Sequence, residues 1–387
     1  MRILIWIGGV LGAVLLAAAL YVFFILPPRL DAQMNPVSAS DPYPVSAEAA
    51  ALHAQLRVSD LHSDMLLWAR DPLRRHDRGH TDIPRLQEGG VALQVFTAVT
   101  KSPEGQNYES NTGGSDRITA LAIVQRWPIR TWGSILERAR HQADRLVRAE
   151  ARSNGALVVA RTRGDIDRSL ASNPDAVIGV LGMEGAHPLE GDLANLDLLY
   201  EDGYRVIGLH HFFDNELGGS LHGISGAGLN DFGRAVIARA DALGMVIDVA
   251  HSSPAVVAEV LDLTDRPVIL SHTGILSLCE TPRNIPDALM ARIAEEGGLI
   301  CIGFWADVTC DDSPEGIARI IIGAAELFGV EHIALGSDYD GTVTTRFDAS
   351  EMAVLTQALL DAGMSESDIR LVMGENAISF FRENLPE

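Results

Sequence analysis

The sequence predicts a (β/α)8 barrel of the TIM type that is preceded by a single N-terminal transmembrane helix. Eight short apolar runs alternate with longer amphipathic segments, which is the pattern of parallel strands connected by helices. Histidine or acidic residues follow most of these runs, and the active sites of such barrels lie at the C-terminal ends of the strands. With 387 residues, of which 47% are hydrophobic, the chain is long enough for one large core.

The N-terminal segment has the length and composition of a membrane span. From Ile3 to Leu26, 24 residues carry no charge, and roughly 20 apolar residues cross a bilayer. The run ends in bulky side chains instead of a small-x-small cleavage site, so we interpret residues 1–27 as an uncleaved anchor. A cleaved secretory signal is the alternative. Arg2 precedes the span, and the positive-inside rule then favours a cytoplasmic N-terminus and an extracytoplasmic catalytic domain, on the periplasmic or cell-surface side.

Residues 28–45 are rich in proline, serine and aspartate, which predicts an extended tether without a core of its own. The folded domain is predicted to occupy residues 46–387. It begins at Ser46, which can cap a short helix that reaches Leu56.

Eight runs are predicted to form the strands of the barrel because they are short, apolar and rich in β-branched residues. They are Leu56 to Leu61, Val91 to Val99, Ala176 to Met183, Tyr204 to Leu209, Met245 to Ala250, Val268 to Ser271, Leu299 to Phe304 and His332 to Gly336.

Helix signals lie between these runs. One helix is predicted between an N-cap at Asn230 or Asp231 and a terminating Gly244. Another is predicted to begin at Ser313, with Pro314 in its first turn, and to end at Gly329. The stretch from 101 to 132 is long for a connection, and we predict that it is an insertion over the barrel mouth, helical from about Ser115 to Trp127.

Charge and cysteine content exclude some functions. The formal net charge of −22 repels phosphates, so nucleic acid partners are not expected. The three cysteines are too few for a disulfide scaffold and lack the C-x-x-C spacing of a metal site. In an exported domain, one disulfide and one buried thiol are the simplest arrangement.

The residues at the predicted strand ends point to a metal site. A single histidine after a strand is more often a hydrogen-bonded structural residue than a ligand, but chance would scatter the 12 histidines over helices and loops. Imidazole nitrogen and carboxylate oxygen are the ligands that Zn²⁺ accepts. The strand-end residues are His62, Asp64, Glu184, His210, His211, His251, His272, Asp338 and Asp340.

Glu184 lies between two groups of such ligands, at strand 1 and at strands 5 and 6. By itself it could instead cap the next helix. In two-metal hydrolases a carboxylate bridges ions that lie about 3.5 to 4 Å apart, and a water shared by the ions supplies hydroxide near neutral pH. Asp338 and Asp340 also fit a turn, Asp340 better than Asp338.

Six motifs, taken together, resemble the membrane dipeptidase (renal dipeptidase) family of zinc peptidases, which belongs to the amidohydrolase-like barrels. The resemblance extends from about Ser46 to Asn384. The motifs are VSDLHSD, GMEGAHPL, GLHHFFDN, IDVAHSS, LSHTGILSLCETPRNIPD and IALGSDYDG, and they occur in the family's order.

The resemblance implies a dinuclear zinc dipeptidase, in which a metal-bridging hydroxide cleaves dipeptides that can carry a C-terminal D-residue. It implies that His62 and Asp64 bind one Zn²⁺, that His251 and His272 bind the other, and that Glu184 bridges the two ions. It further implies that Asp338 transfers the proton, that His211 contacts the scissile carbonyl and that Arg283 binds the substrate's C-terminal carboxylate. It also implies a disulfide between Cys279 and Cys310.

The sequence leaves several alternatives open. The family has threonine where this chain has His210, so either His210 or His211 could face the substrate, and we choose His211. A related metal-dependent amidohydrolase for another amide, lactam or ester is the second functional hypothesis, and a non-catalytic binding protein is the third. The resemblance also leaves a homodimer open.

Overall fold

The computed structural model describes residues 2–38 and 42–387. Within these residues nine parallel strands form one sheet. They are β1 Val58–Ser63, β2 Val91–Val99, β3 Leu157–Val159, β4 Val177–Glu184, β5 Tyr204–Gly208, β6 Val246–Asp248, β7 Ile269–Thr273, β8 Leu299–Ile302 and β9 Ile333–Leu335.

Eight of the strands close into the predicted barrel. Strand β1 pairs with both β2 and β9, and β2 pairs with β4, so the order returns to its start. Among the described residues, the short β3 pairs only with the first three residues of β4. It occupies the same edge of β4 that pairs with β5 from Leu181 onward. The sequence did not predict β3, because three residues of regular strand give little periodic signal.

Most of the helices surround the barrel, whereas the N-terminal helix is exposed from Trp6 to Leu20. In the described residues the helices are α1 Arg2–Leu20, α2 Leu26–Met34, α3 Ala47–His53, α4 Ile83–Glu88, α5 Arg117–Val124, α6 Arg130–Gly133, α7 Ile135–Arg152, α8 Arg163–Ser172, α9 Ala194–Glu201, α10 Asp231–Leu243, α11 Pro254–Leu263, α12 Asp287–Glu295, α13 Ala306–Thr309, α14 Pro314–Phe328, α15 Ala353–Asp361, α16 Glu366–Arg370 and α17 Asn376–Asn384.

Local sequence accounts for the predicted helix ends. The side chain of Asn230 accepts a hydrogen bond from the amide of Gly233, and Gly244 ends α10 at a φ of 72°, a conformation that costs glycine little. Ser313 caps α14, which has a proline in its first turn. Ser46 caps α3 through the amide of Ala49, and α3 ends earlier than predicted, at His53.

The N-terminal segment differs from the prediction. A π-helical turn, Tyr21–Ile25, connects α1 to α2, and the helix from Trp6 to Met34 is long and apolar enough to cross a membrane, by length and composition only. The prediction of an extended tether is wrong for residues 28–34. Proline is tolerated in the first turn of a helix, and Asp31 of α2 is buried against the barrel. Residues 39–41 of the predicted tether lie outside the described residues.

The cysteines are arranged as the resemblance implied. Cys279 and Cys310 form a disulfide, which connects the loop after β7 to the segment after β8. The thiol of Cys301 lies buried in β8.

A buried carboxylate links two strands of the barrel and the loop after β9. Asp60 of β1 accepts hydrogen bonds from the backbone amide and the hydroxyl of Ser337, both at 2.7 Å, in the loop after β9. It also accepts one from Gln94 Nε2 of β2 at 2.9 Å. Asp60, Gln94 and Ser337 are all buried, so water does not replace the carboxylate as the partner of these donors.

We predict that Asp60→Ala lowers the free energy of unfolding by about 3 kcal/mol, because it leaves several buried donors unsatisfied. Urea denaturation followed by circular dichroism measures the change. Asp77→Ala is the matched control, since the side chain of Asp77 is 92% exposed. Equal stabilities of the two variants would contradict the prediction.

Candidate metal centre

The site residues lie at the C-terminal end of the barrel. His62 and His272 are the penultimate residues of β1 and β7, and Glu184 is the last residue of β4. The loops that follow the strands supply the others, which are Asp64, His211, His251 and Asp338. All of these side chains are buried.

Glu184 is the centre of the cluster. Its Oε1 lies 3.4 Å from His62 Nε2, 3.2 Å from His251 Nε2 and 3.5 Å from His272 Nε2. Its Oε2 lies 3.3 Å from His211 Nε2. One carboxylate therefore contacts ring nitrogens from opposite sides of the barrel, which is the position that a bridging ligand requires.

Two further carboxylates lie beside His62. Its Nε2 is 3.7 Å from Asp64 Oδ1 and 3.9 Å from Asp338 Oδ1. Thr97 Oγ1 of β2 donates a hydrogen bond of 2.5 Å to Asp64 and so orients that carboxylate. His62, Asp64 and Asp338 thus form a second group of potential ligands next to Glu184.

Burial controls the protonation of these groups. It raises the pKa of Asp64 and Asp338 well above the usual range of a carboxyl group, and the neighbouring charge of Glu184 adds to the increase. Burial also lowers the pKa of His251 and His272 well below its usual value, and the positive charge of Arg283 contributes. The imidazoles are therefore neutral near pH 7, which is the form that binds a metal.

The donor set fits metal ions. His251 Nε2 and His272 Nε2 lie 2.9 Å apart, so both rings direct the same nitrogen to one point. His62 Nε2 is buried and has no hydrogen-bond partner among the described residues. Buried carboxylates and unpaired ring nitrogens are costly unless a cation compensates them, and imidazole with carboxylate suits Zn²⁺.

Hydrogen bonds through the other ring nitrogen orient two of the histidines. Ser271 Oγ lies 3.1 Å from His62 Nδ1 and 2.9 Å from His272 Nδ1. Such outer contacts are typical of metal-binding histidines. We did not predict this role of Ser271, although its place directly before His272 at a strand end was a signal that could have indicated it.

Of the adjacent histidines, His211 faces the site. His210 is fully buried, and its Nδ1 contacts the hydroxyl of Ser252 at 3.1 Å instead. Strand β5 ends at Gly208, so both histidines belong to a loop and the alternation of a strand does not determine their directions.

Arg283 lies beside the histidines of β7 and of the loop after β6. Its Nη2 is 3.3 Å from His251 Nε2 and donates a hydrogen bond of 2.8 Å to the carbonyl of His272. Its Nε and Nη1 are buried and have no hydrogen-bond partner among the described residues. Arg283 lines a pocket that also contains Glu184, His251 and Asp338, which we call the catalytic pocket, and these two nitrogens are donors that an anionic ligand there can use.

The predicted insertion over the barrel mouth contributes to this pocket, as Asn107 and Tyr108 line it. The phenol oxygen of Tyr108 accepts a hydrogen bond of 3.0 Å from Trp305 Nε1. The helix of the insertion is shorter than predicted, since α5 begins at Arg117 and ends at Val124. Sequence reasoning identified the insertion but not Tyr108, because loop packing leaves no periodic pattern.

Backbone strain is concentrated near the site. His251 has a φ of 60° and Asp338 a φ of 61°, values that cost a non-glycine residue on the order of 1 kcal/mol or more. Asp340, also in the left-handed region, stabilises the loop that carries Asp338. It accepts hydrogen bonds from the amides of His80 at 2.7 Å and Thr81 at 3.2 Å, and forms a 2.7 Å ion pair with Arg70.

The barrel and its strand-end cluster of histidines and carboxylates define a metal-dependent hydrolase. The family model described as membrane dipeptidase (peptidase family M19) matches residues 46–385. The chain therefore belongs to the membrane dipeptidase family and is a metallopeptidase.

Individual relatives agree with this assignment. Dipeptidase aclJ of Aspergillus oryzae is 28% identical over 351 residues, which cover 83% of this chain and 76% of the relative. A crystal structure of dipeptidase AC, a metallopeptidase, has a TM-score of 0.73 at 24% identity and covers 86% of this chain and 99% of its own. A metallopeptidase from Rhodobacter sphaeroides, liganded with a phosphinate mimic of L-Ala-D-Ala, has a TM-score of 0.70 at 24% identity, with coverages of 85% and 99%. Both structures share the fold of this chain.

We predict that Asp340 makes stability depend on acid pH. Burial by itself would raise the pKa of Asp340, but Arg70, with His80 and Thr81, lowers it from 3.8 to about 2. A lowered pKa stabilises the folded state above pH 4 by roughly 2 kcal/mol, and this contribution is lost as the pH falls from 4 to 2.

The unfolding free energies of wild type and Asp340→Asn should therefore differ most at pH 5 and converge towards pH 2. Urea denaturation at several pH values measures this difference. Asp361→Asn, on the exposed end of α15, is the control and should differ little from wild type at every pH. A constant difference between wild type and Asp340→Asn across this range would refute the linkage.

Proposed function

We propose that this protein is a dinuclear zinc dipeptidase that hydrolyses the peptide bond of dipeptides. The observation that supports it best is the position of Glu184, within 3.5 Å of ring nitrogens on His62, His251 and His272. In this proposal His62 and Asp64 bind one Zn²⁺, His251 and His272 bind the other, and Glu184 bridges them. When bound, the ions would polarise the scissile carbonyl and lower the pKa of the attacking water.

The remaining site residues have roles that their positions support. His211 lines the pocket and its Nε2 lies 3.3 Å from Glu184 Oε2. With the proton on Nε2, the imidazole can donate a hydrogen bond to the oxygen of the scissile carbonyl as negative charge develops there. Asp338 lines the same pocket. Its carboxyl group can accept a proton from the attacking water and transfer it to the leaving amine.

Arg283 is the proposed ligand of the substrate's C-terminal carboxylate. It is fully buried, its Nε and Nη1 have no hydrogen-bond partner among the described residues, and its side chain lines a pocket that also contains Glu184. A buried guanidinium selects for a carboxylate close to the scissile bond, which favours dipeptides over long chains. A C-terminal D-residue is included in the proposal, and the phosphinate mimic bound to the Rhodobacter sphaeroides relative is of this kind.

The cellular arrangement is part of the proposal. Residues 1–27 would anchor the protein in a membrane, with the catalytic domain on the extracytoplasmic side, and two copies could form a homodimer. The apolar N-terminal helix and the disulfide support anchoring and export. Fractionation of cells and protease accessibility of the tagged chain test both points.

A related amidohydrolase activity on another amide, lactam or ester is the second candidate, because the same metal centre would serve these bonds. Arg283 favours the dipeptidase, since a neutral amide would leave its charge uncompensated.

We predict two zinc ions per chain and cleavage of dipeptides by the zinc-loaded protein. Elemental analysis measures the metal content, and mass spectrometry of a panel with L- and D-residues at the C-terminal position measures cleavage. Glu184→Gln should lose at least half of the metal and nearly all activity, because the bridging charge is removed. Glu201→Gln, at the end of α9 and exposed, is the control. A fully metal-loaded protein that cleaves no dipeptide would eliminate the proposed function.

We predict that Arg283→Met raises KM for dipeptides by roughly 10- to 100-fold, since a charged hydrogen bond contributes about 1.5 to 3 kcal/mol. Steady-state kinetics with a dipeptide and with its C-terminal amide test this role. The amide should be a poor substrate of wild type and should be nearly insensitive to the substitution. Arg319→Met, whose side chain is 62% exposed in wild type, is the control. If Arg283→Met cleaves dipeptides with an unchanged KM, the carboxylate-binding role fails.

A further inference from the structure

A second cavity lies next to the catalytic pocket and is mainly apolar. It has a volume of about 420 Å³, compared with about 380 Å³ for the pocket that Arg283 lines. The two adjoin, because His211, Met34 and Arg117 line both. The apolar wall is formed by Leu26, Leu30 and Met34 of α2, Leu67 and Trp68 after β1, and Leu121 of α5.

The cavity lies on the side of the metal centre opposite to Arg283. Asp64, next to His62, lines the cavity, whereas Arg283 lies against His251 and His272. A dipeptide whose carboxylate binds Arg283 and whose peptide bond lies beside Glu184 must direct its N-terminal residue away from Arg283. That direction leads to Asp64 and to the apolar cavity.

We propose that this cavity binds the side chain of the substrate's N-terminal residue, and that α2 is thereby part of the substrate site as well as an extension of the predicted anchor. The inference rests on the proposed dipeptidase function. It defines the substrate class as dipeptides with a large apolar N-terminal residue, such as leucine or phenylalanine. Glycine at this position leaves the cavity unused.

Polar contacts fix α2 against the barrel, as a wall of a specific site requires. Asp31 is 2% exposed, forms an ion pair with Arg70 Nε at 3.0 Å and accepts a hydrogen bond from Arg78 Nε at 3.1 Å. Asn35, just after α2, accepts a hydrogen bond of 2.9 Å from the amide of Thr342. Arg70 also pairs with Asp340, so α2 and the loop that carries Asp338 share one ionic cluster.

The composition of the cavity determines its selectivity. Burial of a leucine side chain in such a cavity strengthens binding by about tenfold or more. Four charged residues also line the cavity. Glu104 and Arg117 are exposed, which places them at its solvent side, whereas Asp116 is half-buried and paired with Arg138, and Asp64 lies at the metal centre. The apolar wall of α2 and Trp68 is the part that distinguishes side chains.

The first test compares kcat/KM for Leu-Ala and Phe-Ala with kcat/KM for Gly-Ala, using the full zinc-loaded chain in detergent. The wild type should prefer the apolar substrates by at least about tenfold. Leu30→Gln should reduce this ratio about tenfold, because a polar amide then lines the wall. Ile25→Gln is the matched control on the same helix, where Ile25 is 43% exposed and does not line the cavity, and it should keep the wild-type ratio. Equal kcat/KM for Gly-Ala and Leu-Ala in the wild type, or an unchanged ratio in Leu30→Gln, would overturn the proposal.

A second test does not depend on catalysis. Leu30→Cys places a reactive thiol in the cavity, while Cys301 is buried and Cys279 and Cys310 are joined in the disulfide. Leu-Ala or Phe-Ala at millimolar concentration should slow labelling of this thiol by a maleimide severalfold, and Gly-Ala should not. Equal protection by all three, or protection by none, would refute side-chain binding in this cavity. If no dipeptide is cleaved but Leu-Ala still protects the thiol, the proposed hydrolysis fails while the cavity assignment stands.

Discussion

The contact of one buried carboxylate with four imidazoles is the interaction on which the site depends. Glu184 lies within 3.5 Å of ring nitrogens from His62, His211, His251 and His272. Closure of the barrel brings these residues together, although they come from strands and loops on opposite sides of it. The convergence of so many buried polar groups is costly, and a bound cation is the simplest compensation.

Much of the surrounding structure serves to fix the geometry of this cluster. Ser271 contacts both His62 and His272, and Thr97 orients Asp64. Two residues before His62 in β1, Asp60 joins the first strand to the loop after the last strand through Ser337. The loop after β9 has strained φ angles at Asp338 and Asp340, and the hydrogen bonds that Asp340 accepts compensate the strain.

The N-terminal helix connects the predicted anchor to this same loop. Because Asp31 and Asp340 share Arg70, the orientation of α2 and the geometry around Asp338 depend on one buried ionic cluster. Removal of one partner from a buried ionic cluster leaves the remaining charges uncompensated, which is energetically costly. The cluster therefore holds α2 in one position. A segment whose composition suggests a tether therefore becomes a wall beside the catalytic pocket.

The sequence by itself determined the barrel, the order of its eight strands and the residue types at the strand ends. These features are local, since apolar periodicity and capping residues such as Asn230 and Gly244 act within a few positions along the chain. Only the tertiary structure decided which of His210 and His211 faces the site, that Ser271 orients two histidines, and that α2 packs against the barrel. The physical reason is that these outcomes depend on contacts between residues distant in sequence, as between Asp31 and Arg70 or Asn35 and Thr342. No local pattern records such contacts.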